Sequence, residues 1–323
     1  MDFLFAPMEG VTYSAYRRVH NRLFPGAAEY YTPFISPDSK GSFKPKFLHE
    51  LTRDAEDGVN VIPQLMANNA EAFSITARKF RDIGFDEVNL NVGCPSGTVT
   101  AKKKGSGMLE DIPSLDLFLD RIYSEAESAG IKISIKTRMG VHRTSEFPSI
   151  LEIYSKYPVS KLIIHARDRD GLYRSEPDLP GFASAVGSCR CPVSYNGNVF
   201  SREDLDRVLS YVPDLSSVMV GRGIAANPSL IGNLVIPSSA LSAERMELFH
   251  DSLIETYLSE GLCERFTLER MKQLWYYMIH MFSDCRKEQK AILKSQTLHD
   301  YRNAARVLFR SDHFNPEGKF FQI

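Results

Sequence analysis

Cys94 lies between Gly93 and Pro95, at the end of the apolar, alternating run Val88-Asn89-Leu90-Asn91-Val92. Glycine permits a sharp turn there, and proline stops further strand pairing. The thiol is thus presented at a strand end, where it can serve as an acid or a nucleophile. Buried, it would be only a small hydrophobe, so its neighbours must decide. Polar groups recur at the ends of the other strand-like runs. They are Pro7, Met8 and Glu9 after the first, Gln64 in the third, and Asn91 in the fourth. Lys136 and Arg138 follow in the fifth, His165 and Arg167 in the sixth, Asn196-Gly197-Asn198 in the seventh and Gly221-Arg222-Gly223 in the eighth.

Each of these types suits a particular task. A lysine among Ile133, Ile135 and Thr137 needs a partner if it points inward. Lys136 could face an anion or a reduced cofactor, or form a Schiff base after a drop in pKa. The Gln64 amide can donate to and accept from a planar heterocycle. Glycine-rich turns at consecutive strand ends, each leading into a short helix, suit a phosphate, and Arg222 adds a charge-assisted donor.

Those residues need a scaffold that gathers strand ends. Strands are expected at Phe3–Ala6, Glu29–Ile35, Val61–Met66, Glu87–Asn91, Lys132–Thr137, Lys161–His165, Val193–Asn196 and Ser217–Val220. Helical patterns follow most of them, at Ala70–Ile83, Leu115–Ala129, Ile150–Lys156 and Arg202–Leu209. Eight such units predict an α/β fold, a (β/α)8 TIM barrel. An open doubly wound sheet is the runner-up, but no Gly-x-Gly-x-x-Gly follows the first strand. A boundary is expected at Ile236-Pro237-Ser238-Ser239, dividing a catalytic barrel, residues 1–237, from a helical bundle, residues 238–323. The bundle's helices are expected at Ala243–Glu260, Leu268–Met281, Glu288–Lys294 and Leu298–Leu308. The stretch Ser36–Gly58 reads as a polar, irregular loop that serves the site.

The chain has 323 residues, 43% hydrophobic and 24% charged, as in ordinary soluble domains. No apolar run approaches the roughly 18 residues of a membrane span, and the N-terminus lacks the basic start of a signal peptide. Five cysteines, at 94, 189, 191, 263 and 285, are too scattered for a disulfide framework and point to a reducing cytoplasm. Cys189-Arg190-Cys191 is too tightly spaced for a usual zinc half-site, and no metal site is expected. The net charge of −1 does not advertise a nucleic-acid partner, yet a local basic face is sufficient. Lys102, Lys103 and Lys104 are one such cluster. Arg286, Lys287, Lys290 and Lys294 are another, at helical spacing.

Together these segments resemble the tRNA-dihydrouridine synthases, a family of flavoenzymes. The matching stretches are Ala6-Pro7-Met8-Glu9-Gly10-Val11-Thr12, Asn91-Val92-Gly93-Cys94-Pro95, Lys103-Lys104-Gly105-Ser106-Gly107-Met108-Leu109, Lys136-Thr137-Arg138-Met139-Gly140, His165-Ala166-Arg167, Asn196-Gly197-Asn198 and Val220-Gly221-Arg222-Gly223. The resemblance implies FMN at the barrel mouth, lined by Pro7, Met8 and Glu9. Gln64, Lys136 and His165 would address its ring, and Asn196, Gly197, Asn198, Gly221 and Arg222 its phosphate. The implied reaction reduces the uracil C5=C6 bond in tRNA. NADPH or NADH would reduce the flavin, hydride would pass to C6, and Cys94 would protonate C5. Asn91, Lys102, Lys103, Lys104, Arg138, Arg143 and Arg167 are expected to meet the RNA near the site, and Arg286, Lys287, Lys290 and Lys294 farther out. A monomer is expected. Many relatives carry an acidic residue where Asn198 stands, and glycine where Ala166 stands, so the modified position is not implied. Ribosomal RNA is an alternative substrate. A small pyrimidine reduced by a dihydroorotate-dehydrogenase-like FMN barrel and a flavin-free Schiff-base lyase are the competing chemistries.

Overall fold

The computed structural model describes residues 1–236 and 241–320. Among the described residues nine strands form one parallel sheet. They are β1 (Asp2–Phe5), β2 (Ala27–Tyr31), β3 (Val61–Ile62), β4 (Gln64–Leu65), β5 (Glu87–Val92), β6 (Lys132–Arg138), β7 (Leu162–His165), β8 (Val193–Asn196) and β9 (Ser217–Val220). Their order is β3-β2-β1-β9-β8-β7-β6-β5-β4. β3 and β4 are two halves of one expected strand, parted at Pro63, which has no N–H to give to a ladder. β3 pairs with β2 and β4 with β5, so the ring closes across that proline. The result is the expected TIM barrel with eight strand positions. β2 stops before Pro33, and the chain pairs again at Ile35 in an isolated bridge to Leu65.

Alternation within the strands sorts their side chains. Ile133, Ile135 and Thr137 of β6 lie buried under the outer helices, and Ser134, Lys136 and Arg138 take the opposite face. A small apolar cluster of Leu4, Ala6, Tyr31, Ile163 and Met219 fills the barrel's interior. Polar pairs cross that interior as well, with Asn89 Nδ2 donating to Ser134 Oγ at 2.9 Å. The helix Ile112–Ala129 starts earlier than expected because the Asp111 carboxylate accepts from the Ser114 N–H at 3.1 Å.

The stretch 36–58 is not irregular throughout: Pro45–Glu56 is a helix. Pro45 is at home in its first turn. The helix buries only Leu51 and Asp54, so its polar composition hid it. Asp54 forms a fully buried ion pair with Arg17 of the helix Ser14–Leu23.

The C-terminal helices are Ala243–Ser259, Glu264–Met278, Arg286–Lys294 and Leu298–Phe309. Their core is built on Trp275, whose Nε1–H donates to the Tyr301 hydroxyl at 2.7 Å. The Tyr301 hydroxyl also meets His250 Nε2 at 2.7 Å. The bundle packs on the first barrel helix, with the Tyr16 and Phe249 rings 5.2 Å apart. Arg18 ties the two parts by pairing with both Asp57 and Glu260. Of the expected boundary, Pro237, Ser238 and Ser239 lie outside the described residues.

Candidate functional site

The C-terminal strand ends surround a cavity of about 290 Å³. Of the residues singled out from the sequence, Pro7, Met8, Glu9, Gln64, Asn91, Cys94, Lys136, Arg138, His165, Asn196, Gly197, Gly221 and Arg222 all line it. Strand register explains the gathering: Asn91 lies beside Lys136, Arg138 beside His165, and His165 beside Asn196.

Cys94 is held from two sides. The Asn91 side-chain oxygen accepts the backbone N–H of Gly93 and of Cys94, each at 3.0 Å. The Cys94 carbonyl accepts from the Ser106 N–H at 3.0 Å and from its hydroxyl at 2.8 Å. That second tether requires Gly105. Its φ is +56°, and a Cβ there would lie 2.8 Å from the Cys94 carbonyl oxygen. Burial raises the Cys94 pKa above its ordinary value, against the smaller pulls of the Ser96 backbone, Lys136 and Arg138. The thiol therefore keeps its proton at neutral pH.

A chain of amides fixes the floor. Asn91 Nδ2 donates to Gln64 Oε1 and Gln64 Nε2 donates to Asn89 Oδ1, both at 2.8 Å. Gln64 retains one N–H and one lone pair for a ligand. Lys136 Nζ donates to Asn196 Oδ1 at 2.8 Å, and Asn196 Nδ2 donates to the Met219 carbonyl at 2.9 Å. The Asn196 side chain, expected at a phosphate, is thus committed to holding Lys136. Burial, with repulsion from Arg138, lowers the Lys136 pKa to about 7.

His165 is driven well below the usual histidine range, first by burial and then by Arg138, Lys136 and Arg167. It is neutral. Its Nε2 faces Arg167 Nη1 at 3.0 Å. Arginine can only donate, so the ring proton is on Nδ1.

Two expected RNA contacts have other work. Arg138 and Arg167 are buried. Arg138 Nη1 donates to the carbonyls of Asp168 at 2.6 Å and Leu172 at 2.8 Å, and its Nε to Gly93 at 3.1 Å. Arg167 Nε donates to the Ser175 carbonyl at 2.6 Å. They clamp the loop after β7, and Arg138 also lines the cavity. That loop carries Tyr173, which no local pattern marked, into the cavity wall. Tyr277, also unmarked, arrives from the helix Glu264–Met278, so the bundle takes part in the site. Pro33 and Phe34 complete the unexpected lining.

At the opposite end, Arg222 Nη2 donates to Asn198 Oδ1 at 2.8 Å, and its guanidinium sits 4.2 Å from the Tyr173 ring centre. Gly197 and Gly223 leave no room for a Cβ. It would overlap the Tyr195 hydroxyl at the first and approach the Val199 carbonyl to 2.6 Å at the second. Lys102 and Lys103 are exposed beside the mouth, and Lys104 donates to Ser36 Oγ at 2.8 Å. Arg143 is exposed on the loop after β6, away from the cavity lining. Arg286, Lys287, Lys290 and Lys294 are exposed on one helix of the bundle, also away from it. Cys189 and Cys191 stand 3.3 Å apart before β8, outside the site.

The family model for dihydrouridine synthase (Dus) matches residues 4–312. The chain belongs to the dihydrouridine synthase family. It is an oxidoreductase of the kind that uses FMN and a nicotinamide donor. Among curated relatives, "Probable tRNA-dihydrouridine synthase" of Staphylococcus aureus (strain COL) is 25% identical over 317 residues, covering 93% of this chain and 90% of the relative. The tRNA-dihydrouridine synthase B of Shewanella oneidensis is 25% identical over 293 residues, covering 85% and 86%. Among solved structures, morphinone reductase superposes with a TM-score of 0.51 at 11% identity, covering 73% of this chain and 86% of that one. The old yellow enzyme homologue of Zymomonas mobilis gives 0.50 at 10%, covering 74% and 89%. These two show the shared barrel fold. The donor set fits an FMN-like group. A polar floor and Lys136 suit a planar ring, and the Gly197 and Gly221 turns beside Arg222 suit a phosphate. No helix among the described residues is long and apolar enough to cross a membrane.

Proposed function

We propose that this dihydrouridine synthase reduces the C5=C6 bond of uridine in transfer RNA, with NADPH as the electron donor. One observation carries the reading. Cys94, Lys136, His165, Gly197, Gly221 and Arg222 line a single cavity at the strand ends. The names of the curated relatives support transfer RNA as the substrate class. FMN, when bound and reduced, supplies the hydride for C6. Pro7, Met8, Glu9 and Gln64 would flank its ring, and Gly197, Asn198, Gly221 and Arg222 would hold its phosphate. Lys136 would set positive charge against the ring's electron-rich edge. His165, neutral and protonated on Nδ1, donates a hydrogen bond beside it.

Cys94 donates its Sγ proton to C5. Burial keeps the thiol protonated through neutral pH, which suits an acid and disfavours an attacking nucleophile. The target base must leave its stack to reach the cavity. Lys102 and Lys103 meet the backbone phosphates near it. The body of the RNA rests on residues 238–323, against the exposed face of Arg286, Lys287, Lys290 and Lys294. The five free cysteines support a reducing compartment such as the cytoplasm.

The test is Cys94→Ala. Flavin stays bound and nicotinamide oxidation at the flavin persists. Uridine reduction falls by about 10²–10⁴, the usual contribution of a positioned acid. Dihydrouridine formed at the wild-type rate would remove Cys94 from the reaction.

A further inference from the structure

Beside the cavity lies an open groove of about 510 Å³, walled by Phe34, Phe43, Phe47, Lys44 and Lys46. Glu9 and Phe34 belong to both, so the two spaces share a wall. We propose that this groove receives the nucleotide next to the target uridine, its base stacked on Phe34 and its phosphate held by Lys44 and Lys46. The proposal rests on the RNA-reductase reading above and adds a subsite to it.

Three features converge on that occupant. Phe34 is half-buried, with its ring in the partition between the spaces. A base extruded into the cavity leaves its neighbour unstacked, and an aromatic face at the threshold replaces the lost stack. Lys44 and Lys46 line the groove and Lys104 reaches its edge through Ser36, against two carboxylates, Glu9 and Asp38. The Asp38 carboxylate is spent on the turn, accepting the N–H groups of Lys40 at 2.9 Å and Ser42 at 2.8 Å. Lastly, the groove is preformed. Lys46 Nζ rests 4.9 Å from the Phe47 ring centre. Lys104 joins the banks through Ser36, and the Arg17–Asp54 pair anchors the helix Pro45–Glu56. Stacking on an aromatic face tolerates any base. The subsite therefore adds affinity and register without reading the neighbour's identity.

The experiment uses the FMN-loaded full chain and a fluorescent single-stranded oligouridylate, titrated across salt concentrations. Lys44→Ala/Lys46→Ala flattens the slope of log affinity against log salt by about 1.4, from two phosphate contacts at about 0.7 each. Phe34→Ala weakens binding about tenfold, the loss of one stack, and Phe34→Tyr restores it. Flavin absorbance confirms that each variant is folded. An unchanged slope in the lysine variant overturns the proposal. So does full affinity in Phe34→Ala, or displacement of the RNA by an equal charge of inorganic polyphosphate, which would make the groove a bare anion patch. If the wild type makes no dihydrouridine from a tRNA transcript, the functional reading itself fails. If it does and the variants bind like wild type, only the subsite fails.

Discussion

Lys136 makes FMN affinity depend on pH in a calculable way. In the free enzyme its pKa is lowered to about 7, by burial first and by Arg138 second. An electron-rich ring edge and a phosphate favour the ammonium form, so the pKa rises on binding. Above pH 7 the free enzyme must take up a proton to bind, and affinity falls as pH rises. With the bound pKa well above 9, the dissociation constant grows about 50-fold between pH 7 and pH 9. The other groups are quiet in that window. His165 is already neutral, burial pushes the Cys94 thiol upward, and arginines keep their charge. A phosphomonoester is mostly ionised above about pH 7. Flavin-free enzyme titrated with FMN in buffers of differing ionisation enthalpy gives both affinity and proton count. About half a proton is taken up at pH 7 and nearly one at pH 8. Lys136→Met binds more weakly and loses the slope. Equal affinity of the wild type at pH 7 and pH 9, with no proton uptake, would refute the placing of Lys136 against the flavin.

Asn196→Ala removes the partner of a charged group, and FMN affinity drops about tenfold or more while the barrel stays folded; calorimetry reads it, and wild-type affinity contradicts it. Gly105→Ala forces a side chain into left-handed backbone against the Cys94 carbonyl. It costs about 1–2 kcal/mol of stability and, by moving the thiol, slows uridine reduction more than flavin reduction. Equal slowing of the two half-reactions would argue against that. Asp54→Ala leaves Arg17 charged and buried, so urea denaturation shows a loss of about 3–5 kcal/mol. A loss below about 1 kcal/mol would mean the pair is not desolvated.

The barrel was legible because its strands alternate and its turns carry Gly and Pro. The inward set Ser134, Lys136 and Arg138 could be read from spacing of two alone. What each inward residue binds could not, because partners come from other strands. Asn196 reads as a phosphate ligand beside Gly197, and only the folded barrel brings it to Lys136. Arg138 and Arg167 read as free cations. Their carbonyl acceptors lie on a loop whose path depends on those same bonds. Tyr173 and Tyr277 had no local mark, one on that loop and the other on a helix remote in sequence. The helix Pro45–Glu56 buries so little that its polarity passed for a loop.

The central claim is reduction of uridine in RNA, and nucleoside mass spectrometry tests it directly. The FMN-loaded chain is incubated with NADPH and an unmodified tRNA transcript, and the digested nucleosides are separated. A uridine heavier by two hydrogens accumulates at a defined position, one for each NADPH consumed, and its formation collapses in Cys94→Ala. NADPH consumption with no such nucleoside in any RNA offered, transfer or ribosomal, would contradict the account.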